Sequence, residues 1–292
     1  MSTITLLYPG EMGCAFAALL LAAGPRVVSP MAGRSERTRK AAQAIGIEMR
    51  DSMAAAVTES DLILSLVPPS AVIDVAQRAA DACRENDVAP LFVDLNAKTP
   101  EDAEGMAAAF SDVSLPFCNA CIIGRASHLG AEGRIYTSGA NTSPLEALFD
   151  GLLPVIRLGD ETIQATIFKM AFAGFNKTVV AALFETANTA NAFGITDSLF
   201  ELIDRHLGGT LADLGKLVPT YPRHILRRAE EMEALARMLA DRKLPNRIAL
   251  AAGATFHGLG TSGSWAAAAP SARLMELLSK VEYRAGQSQA KD

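Results

Sequence analysis

The chain has few residues of the kinds that mark secreted, metal-binding or nucleic-acid-binding proteins. It holds four cysteines and four histidines among 292 residues, and its formal net charge of −5 argues against general nucleic-acid binding. Cys118 and Cys121 have the spacing of a redox or metal motif, but no second pair accompanies them. The histidines form no ligand-spaced pair, so we expect no metal site. So few cysteines predict a reduced, cytoplasmic protein.

Targeting and membrane segments are also lacking in this sequence. The N-terminus has no basic region before its apolar segment, which predicts no signal peptide. No run of about 18 uncharged apolar residues is flanked like a membrane span, so no membrane partner is expected. Half of the residues are hydrophobic and one fifth are charged, so a large core can form, and the length suits two domains.

A glycine turn follows the first apolar run, which predicts a strand over residues 4–8. The turn reads Pro9-Gly10-Glu11-Met12-Gly13, and a helix and a second strand over 26–29 come after it. This order is typical of a dinucleotide-binding unit, in which the helix amides face the phosphates. Gly10 would let the backbone approach a pyrophosphate, and Gly13 would let the helix pack closely. Because the usual first glycine is missing, a merely structural turn stays open as an alternative.

The residues after the second strand favour NADP over NAD. Dinucleotide enzymes read the adenosine ribose there, and a cation suits the 2′-phosphate of NADP. Residues 30–40 contain four basic side chains and a single acid, Glu36. We expect Arg34, Ser35 and Arg37 to contact that phosphate, with NAD as the second choice. The alternative is a solvated helix start.

Strands and helices then continue to alternate. Apolar runs at 61–67 and 91–95 predict further strands, and short helical patterns separate them. Such alternation predicts a mostly parallel, doubly wound α/β sheet, a Rossmann domain. Ligands lie outside the carboxyl ends of such strands, where Val67, Pro68 and Asn96 stand.

A long apolar stretch without proline predicts one helix over residues 160–194. Asp160 is a good N-cap, Gly194 is a plausible stop, and the nearly all-round apolar composition predicts a buried helix. Its length suggests that it joins a Rossmann domain at 1–159 to an all-helical substrate and dimerisation domain at 160–292. The later helices are too few to cover it, which predicts a homodimer. The polar tail after residue 286 is expected to be disordered.

The helix carries Lys169, which either snorkels to water or is held for chemistry. Together with the Pro9–Gly13 turn, the segments Leu66-Val67-Pro68 and 94–100 and then Lys169 occur in the order of the β-hydroxyacid dehydrogenase family. The sequence resembles a divergent branch of that family, which includes 6-phosphogluconate and 3-hydroxyisobutyrate dehydrogenases.

This resemblance implies a dimer that transfers hydride between nicotinamide and a substrate carbon. It places Lys169 where the family keeps its catalytic lysine and Asn96 where a substrate-binding serine or asparagine often lies. Ile123, Gly124 and Arg125 fall at the family's substrate-binding Ser-Gly-Gly segment, where only Gly124 matches. The family's asparagine shortly after the lysine is absent.

Asn176, seven residues after Lys169 and on the same helical face, is a possible substitute for that asparagine. These departures favour a bulkier or less polar small-molecule substrate.

Three functions follow from these patterns. The favoured one is an NADP-dependent dehydrogenase or reductase in which Lys169 is the general acid and base, with its pKa lowered by partial burial. A C=N reductase on the same scaffold and a nucleotide-binding sensor without turnover are the alternatives. His128 lies near the substrate segment, and a surface role is favoured for Arg223 and Arg227.

Overall fold

Strands and helices alternate through the first part of the chain in the computed structural model, which describes residues 2–262, 265 and 273–283. The contacts divide the chain into two compact units, Met1–Lys169 and Met170–Asp292. The division of roles between residues 1–159 and 160–292 stays a prediction. The tail after residue 286 lies outside the described residues.

Eight strands form one sheet in the N-terminal unit, in the order β3-β2-β1-β4-β5-β6-β7-β8. Their bounds are Thr3–Leu7 (β1), Arg26–Pro30 (β2), Glu48–Arg50 (β3), Leu62–Ser65 (β4), Leu91–Asp94 (β5), Phe117–Ile123 (β6), Arg134–Ser138 (β7) and Val155–Arg157 (β8). All neighbours pair in parallel except β6 and β7. Strand β1 pairs with β2 on one side and with β4 on the other, so the strand order reverses at β1. This reversal makes a topological switch point. The predicted Rossmann-type α/β sheet is therefore confirmed.

Seven helices accompany these strands in the described part of the N-terminal unit. They are Glu11–Ala23 (α1), Glu36–Ile45 (α2), Met53–Val57 (α3), Val72–Glu85 (α4), Pro100–Asp112 (α5), Leu129–Glu132 (α6) and Ser143–Phe149 (α7). Both sheet faces are covered, because one apolar cluster holds Leu6, Phe16 and Val93 while the other holds Phe92 and its neighbours on α4 and α5. Strands buried on both faces need continuous apolar runs, which explains why the sequence shows them.

The C-terminal unit is helical throughout its described part, as predicted. Its helices are Thr196–Leu217 (α9), Ile225–Asp241 (α10), Arg247–Gly260 (α11) and Leu274–Leu278 (α12), after the long helix Gln164–Phe193 (α8), which begins in the N-terminal unit. The ring of Phe184 packs edge-on against Tyr221, Phe256 and Trp265, at centroid distances of 5.5, 6.2 and 5.0 Å. These aromatic contacts form the centre of a separate apolar core.

Helix α8 differs from the sequence prediction at its start and in its burial. It begins at Gln164, and Asp160 forms an ion pair with Arg157 instead of capping the helix. The prediction of a buried helix was wrong for the single chain, because only 28% of its most apolar window is buried. Within the described residues it is the one helix long and apolar enough to cross a membrane, a property that core helices of soluble proteins share.

Candidate active site

The glycine turn lies between β1 and α1. Gly10 is the N-cap of α1 and gives the helix no side-chain cap, so the first amides of a 13-residue helix are left for another partner. A Cβ built on Gly10 would meet nothing within 4 Å, whereas one on Gly13 would lie 3.1 Å from the backbone oxygen of Tyr8. Gly13 thus permits close packing of the turn, and Gly10 faces open space. Both features fit a bound pyrophosphate.

The segment after β2 brings Arg34 against the glycine turn. The Arg34 guanidinium lies 4.0 Å from the ring centroid of Tyr8, the residue that replaces the usual first glycine. Ser35 caps α2 by accepting a hydrogen bond from the Thr38 amide at 3.2 Å, and Arg37 is exposed. Arg39 has another task, because it donates to the Met31 carbonyl at 2.6 Å and so supports the loop.

The predicted cofactor residues on the next two strands also come together. The Asn96 side-chain oxygen accepts a hydrogen bond from the Val67 amide at 2.6 Å, and its Nδ2 donates to Ser65 Oγ at 2.9 Å. Nδ2 also donates to an oxygen of Asp94. Asn96 is therefore a buried clamp between the ends of β4 and β5, while Pro68 beside it is exposed.

A buried ion pair lies next to this clamp. Lys98 pairs with the second carboxylate oxygen of Asp94, and the two side chains are 1% and 0% exposed. The sequence analysis gave Lys98 no role. The available signal was its i+4 spacing from an acid at the end of a buried strand, a spacing that is also common on solvated surfaces.

Four buried polar residues form a row across the sheet: Ser65, Asp94, Asn119 and Ser138. The strand register pairs each with the next, from β4 through β5 and β6 to β7, so they share one face of the sheet. Each is 0% or 1% exposed. Buried polar groups need partners, and this row finds them in Lys98 and Asn96 on one side and in α8 on the other.

Helix α8 is attached to the row through Thr162, two residues before its start, and through its first turn. Asn119 Nδ2 donates to the Thr162 carbonyl at 2.5 Å and to Thr166 Oγ1 at 3.0 Å. The ring of Phe168 packs against Tyr136, which pairs with Cys121 in the strand register, at a centroid distance of 4.2 Å. The start of α8 therefore runs along β6 and β7.

Lys169 lies one turn after Thr166 and directly follows Phe168 on α8. Burial raises the pKa of the Cys121 thiol, and the positive charges of Lys169 and then Lys98 oppose that rise. Both ammonium groups therefore act on the same buried position of β6. Strand β6 extends beyond the last paired residue of β5, so Cys121 stands past the carboxyl end of β5, where ligands of such sheets bind.

The predicted substrate segment continues from this point. Ile123 points to the same sheet face as Cys121, because strand residues alternate. Gly124 has a φ of 138°, and a Cβ there would lie 3.0 Å from Gly133 Cα, which gives this glycine a packing role. Arg125 and His128 are exposed, and His128 Nδ1 lies 2.8 Å from Ser127 Oγ.

The other candidate residues lie in the C-terminal unit. Asn176 is half-buried on α8, seven residues after Lys169. Lys177 pairs with Glu231 at 3.0 Å. Arg227 is exposed and lies 3.7 Å from the same glutamate, and Arg223 is exposed.

The described residues contain no group of side chains that could hold a metal ion. Cys118 and Cys121 point to opposite sides of β6, and burial raises the pKa of Cys118 to about 11. A buried thiol with a raised pKa is unreactive, so the pair does not form a redox motif.

A Rossmann-type sheet followed by a helical unit defines the class of fold, and comparisons with known proteins agree. The family model described as NADP oxidoreductase, coenzyme F420-dependent, matches residues 3–98, and a domain of unknown function, DUF1932, matches residues 190–259. An uncharacterized 28.5 kDa protein of Methanothermus fervidus is 27% identical over 214 residues, 73% of this chain and 81% of the relative.

Solved structures share the fold. The conserved protein MTH1747, reported as similar to 3-hydroxyacid dehydrogenases, is 25% identical with a TM-score of 0.71, over 87% of this chain and 95% of that one. The Salmonella typhimurium 3-hydroxyisobutyrate dehydrogenase is 19% identical with a TM-score of 0.72, over 96% and 100%. A Pseudomonas imine reductase is 20% identical with a TM-score of 0.59, over 85% and 90%. The predicted resemblance is confirmed at the level of the fold, which this chain shares with 3-hydroxyacid dehydrogenases.

Proposed function

We propose that the protein is an NADP-dependent oxidoreductase that transfers hydride between nicotinamide and the hydroxyl or carbonyl carbon of a small organic substrate. The observation that carries the proposal is the position of Lys169 directly after Phe168, whose ring packs against Tyr136 opposite Cys121, past the carboxyl end of β5. This is the edge of the sheet at which the glycine turn also opens, within the same compact unit.

In this proposal each part of the sheet edge has one task. The α1 amides and Gly10 hold the pyrophosphate, and Arg34, Ser35 and Arg37 hold the 2′-phosphate. The clamp of Val67 and Asn96, with Pro68 beside it, shapes the nicotinamide end. When bound, the nicotinamide supplies the hydride chemistry.

Lys169 handles the proton. In oxidation its neutral amine takes the hydroxyl proton as hydride leaves the same carbon and the carbonyl forms. In reduction its ammonium returns that proton to the oxygen. Asn176 orients the oxygen from the same helical face. Asn96, Ile123, Gly124 and Arg125 line the substrate, and Ile123 in place of a polar residue favours a bulky or weakly polar one.

A screen of NADP-linked turnover tests this assignment. It compares hydroxy acids, aryl and alkyl alcohols, ketones and imines, with NAD in parallel. Turnover of an alcohol–ketone pair supports the proposal. Reduction of imines alone supports the second candidate, which the shared fold with imine reductases favours. Binding of NADP without turnover of any class supports a sensor. We propose a cytoplasmic location for the protein.

Cofactor choice gives the first prediction. Arg34→Ala should weaken NADP binding tenfold or more and leave NAD binding nearly unchanged, since a charge-assisted contact is worth about 1.5–3 kcal/mol. Titration of both cofactors into both proteins measures this. Lys40→Ala is a matched control, because it removes an exposed cation on α2, the helix that follows Arg34, where it pairs with Glu36 at 3.7 Å. Equal affinity of the wild type for NAD and NADP would contradict the prediction.

Assembly gives the second prediction. Phe172, Phe175 and Phe193 on α8 are 44%, 68% and 76% exposed in the single chain, and burial of such rings is strongly favourable. We propose a homodimer in which the C-terminal units pack together. Light scattering should give about twice 30.8 kDa, and Phe175→Glu should shift the mass towards the monomer. A wild-type monomer at micromolar concentration would refute the dimer.

A further inference from the structure

The start of α8 has an unusual cap. Ser138, a residue of β7, accepts a hydrogen bond from the Ala165 amide at 3.0 Å and donates to the Thr162 carbonyl at 2.7 Å. The Ala165 amide is one of the first donors of the helix, which have no partner within the helix itself. A side chain from the sheet therefore caps the helix, a role that the sequence predicted for Asp160.

Asn119 completes this attachment from the neighbouring strand. It shares the Thr162 carbonyl with Ser138 and also binds the Thr166 hydroxyl. Asn119 and Ser138 face each other in the strand register, and both are fully buried. Two strands thus hold the start of the helix through four hydrogen bonds from buried side chains.

Lys169 is directly coupled to this turn. It follows Thr166 by three residues on the same helical face, and Cys121 follows Asn119 by two residues on the same face of β6. The hydrogen bond of Asn119 to Thr166 and the packing of Phe168, the residue before Lys169, on Tyr136 opposite Cys121 are therefore successive steps along the same helix–sheet contact. A rotation or slide of the first turn would move the ammonium group by a similar amount.

We propose that Ser138 and Asn119 are positioning residues for Lys169, acting by capping and fixing the first turn of α8 from the sheet. The inference rests on the proposed role of Lys169 in proton transfer. A misplacement of a reacting group by about 1 Å costs about 10²-fold in rate. Loss of the cap should therefore lower kcat and leave cofactor binding, which involves other strands, unchanged.

Ser138→Ala is the test variant, and Thr137→Val is its matched control. Thr137 precedes Ser138 on β7, is equally buried and points to the opposite side of the sheet. Its hydroxyl donates to the Asn119 backbone carbonyl at 3.3 Å and contacts the Cys118 thiol. We expect kcat to fall about 10–100-fold in Ser138→Ala, with the NADP dissociation constant within twofold, and little change in Thr137→Val. Ser138→Thr, which keeps the hydroxyl, should recover most of the rate.

Two measurements separate this proposal from the role of Lys169. Hydrogen exchange of a peptide covering residues 163–170 should quicken in Ser138→Ala and not in Thr137→Val, whatever the protein catalyses. In a Lys169→Met background, Ser138→Ala should lower the residual rate by less than twofold, because both changes act through one group.

Full additivity of the two changes, or unchanged kcat in folded Ser138→Ala, would overturn the positioning role. If Ser138→Ala does not fold, Thr166→Val removes a partner of Asn119 with a side chain of the same shape and takes its place under the same criteria. If Lys169→Met keeps its turnover, the proposed chemistry fails, while the exchange data still decide whether Ser138 caps α8.

Discussion

Lys169→Met should lower turnover about 10²–10⁴-fold, the usual contribution of a general acid–base group. Folding and NADP affinity should stay nearly unchanged, because methionine keeps the apolar stem. The proposed phosphate-binding residues lie elsewhere, at the start of α1 and after β2. The rate, the melting temperature and NADP binding are measured on the same variant. A kcat that falls while the other two quantities hold is the signature of a group that acts only in the chemical step.

Lys177→Met is the matched control on the same helix. Its ammonium pairs with Glu231 in the C-terminal unit, and the side chain is 14% exposed, so its loss should lower the melting temperature more than the rate. If Lys169 only snorkels to water, the two variants should behave alike, with near-normal turnover. That outcome would remove Lys169 from the mechanism and direct the search to Asn176, Lys177 or His128.

The sheet was largely predictable because its strands are buried on both faces. Residues 62–65 and 91–94 must be apolar at almost every position, and that run is visible without a structure. The glycine turn was predictable for a similar reason, because a side chain on Gly13 would crowd the backbone oxygen of Tyr8, which is only five residues earlier. Local demands of this kind leave local signals.

The residues that hold the candidate site in place were not predictable, because their hydrogen-bond partners are distant in sequence. Asp160 is a good local N-cap, yet Ser138, 27 residues before Ala165, caps the helix. Asn119 was given no role from the sequence, because its partners Thr162 and Thr166 lie 43 and 47 residues away. Tertiary contacts override local preference at such places.

The exposure of α8 shows a second limit. The apolar composition of the helix correctly indicates that it needs cover, but it does not say which chain provides that cover. Phe175 at 68% exposure is unfavourable in an isolated chain and ordinary in an interface. We expected a buried helix, whereas most of α8 is not buried in the single chain. This difference supports the proposed homodimer.

Lys98→Met should destabilise the N-terminal unit by about 3–5 kcal/mol, because it leaves the Asp94 carboxylate buried without its counter-charge. For a unit of this size that corresponds to a fall in melting temperature of about 6–20 °C. The carboxylate is 0% exposed and its other oxygen already accepts from Asn96, so water cannot replace the lysine without opening the end of β5. Calorimetry of the wild type and the variant measures the change.

The double variant Lys98→Met/Asp94→Asn separates the charge effect from a packing effect. Asparagine keeps the oxygen that binds Asn96 and removes the unpaired charge, so we expect it to recover more than half of the lost stability. Lys40→Met, which breaks an exposed pair with Glu36, should cost less than about 1 kcal/mol. An unchanged melting temperature in Lys98→Met, or a double variant no more stable than the single one, would show that the ion pair does not support this edge of the sheet. The loop that carries Asn96 would then have to be held by the clamp to Ser65 and Val67 alone.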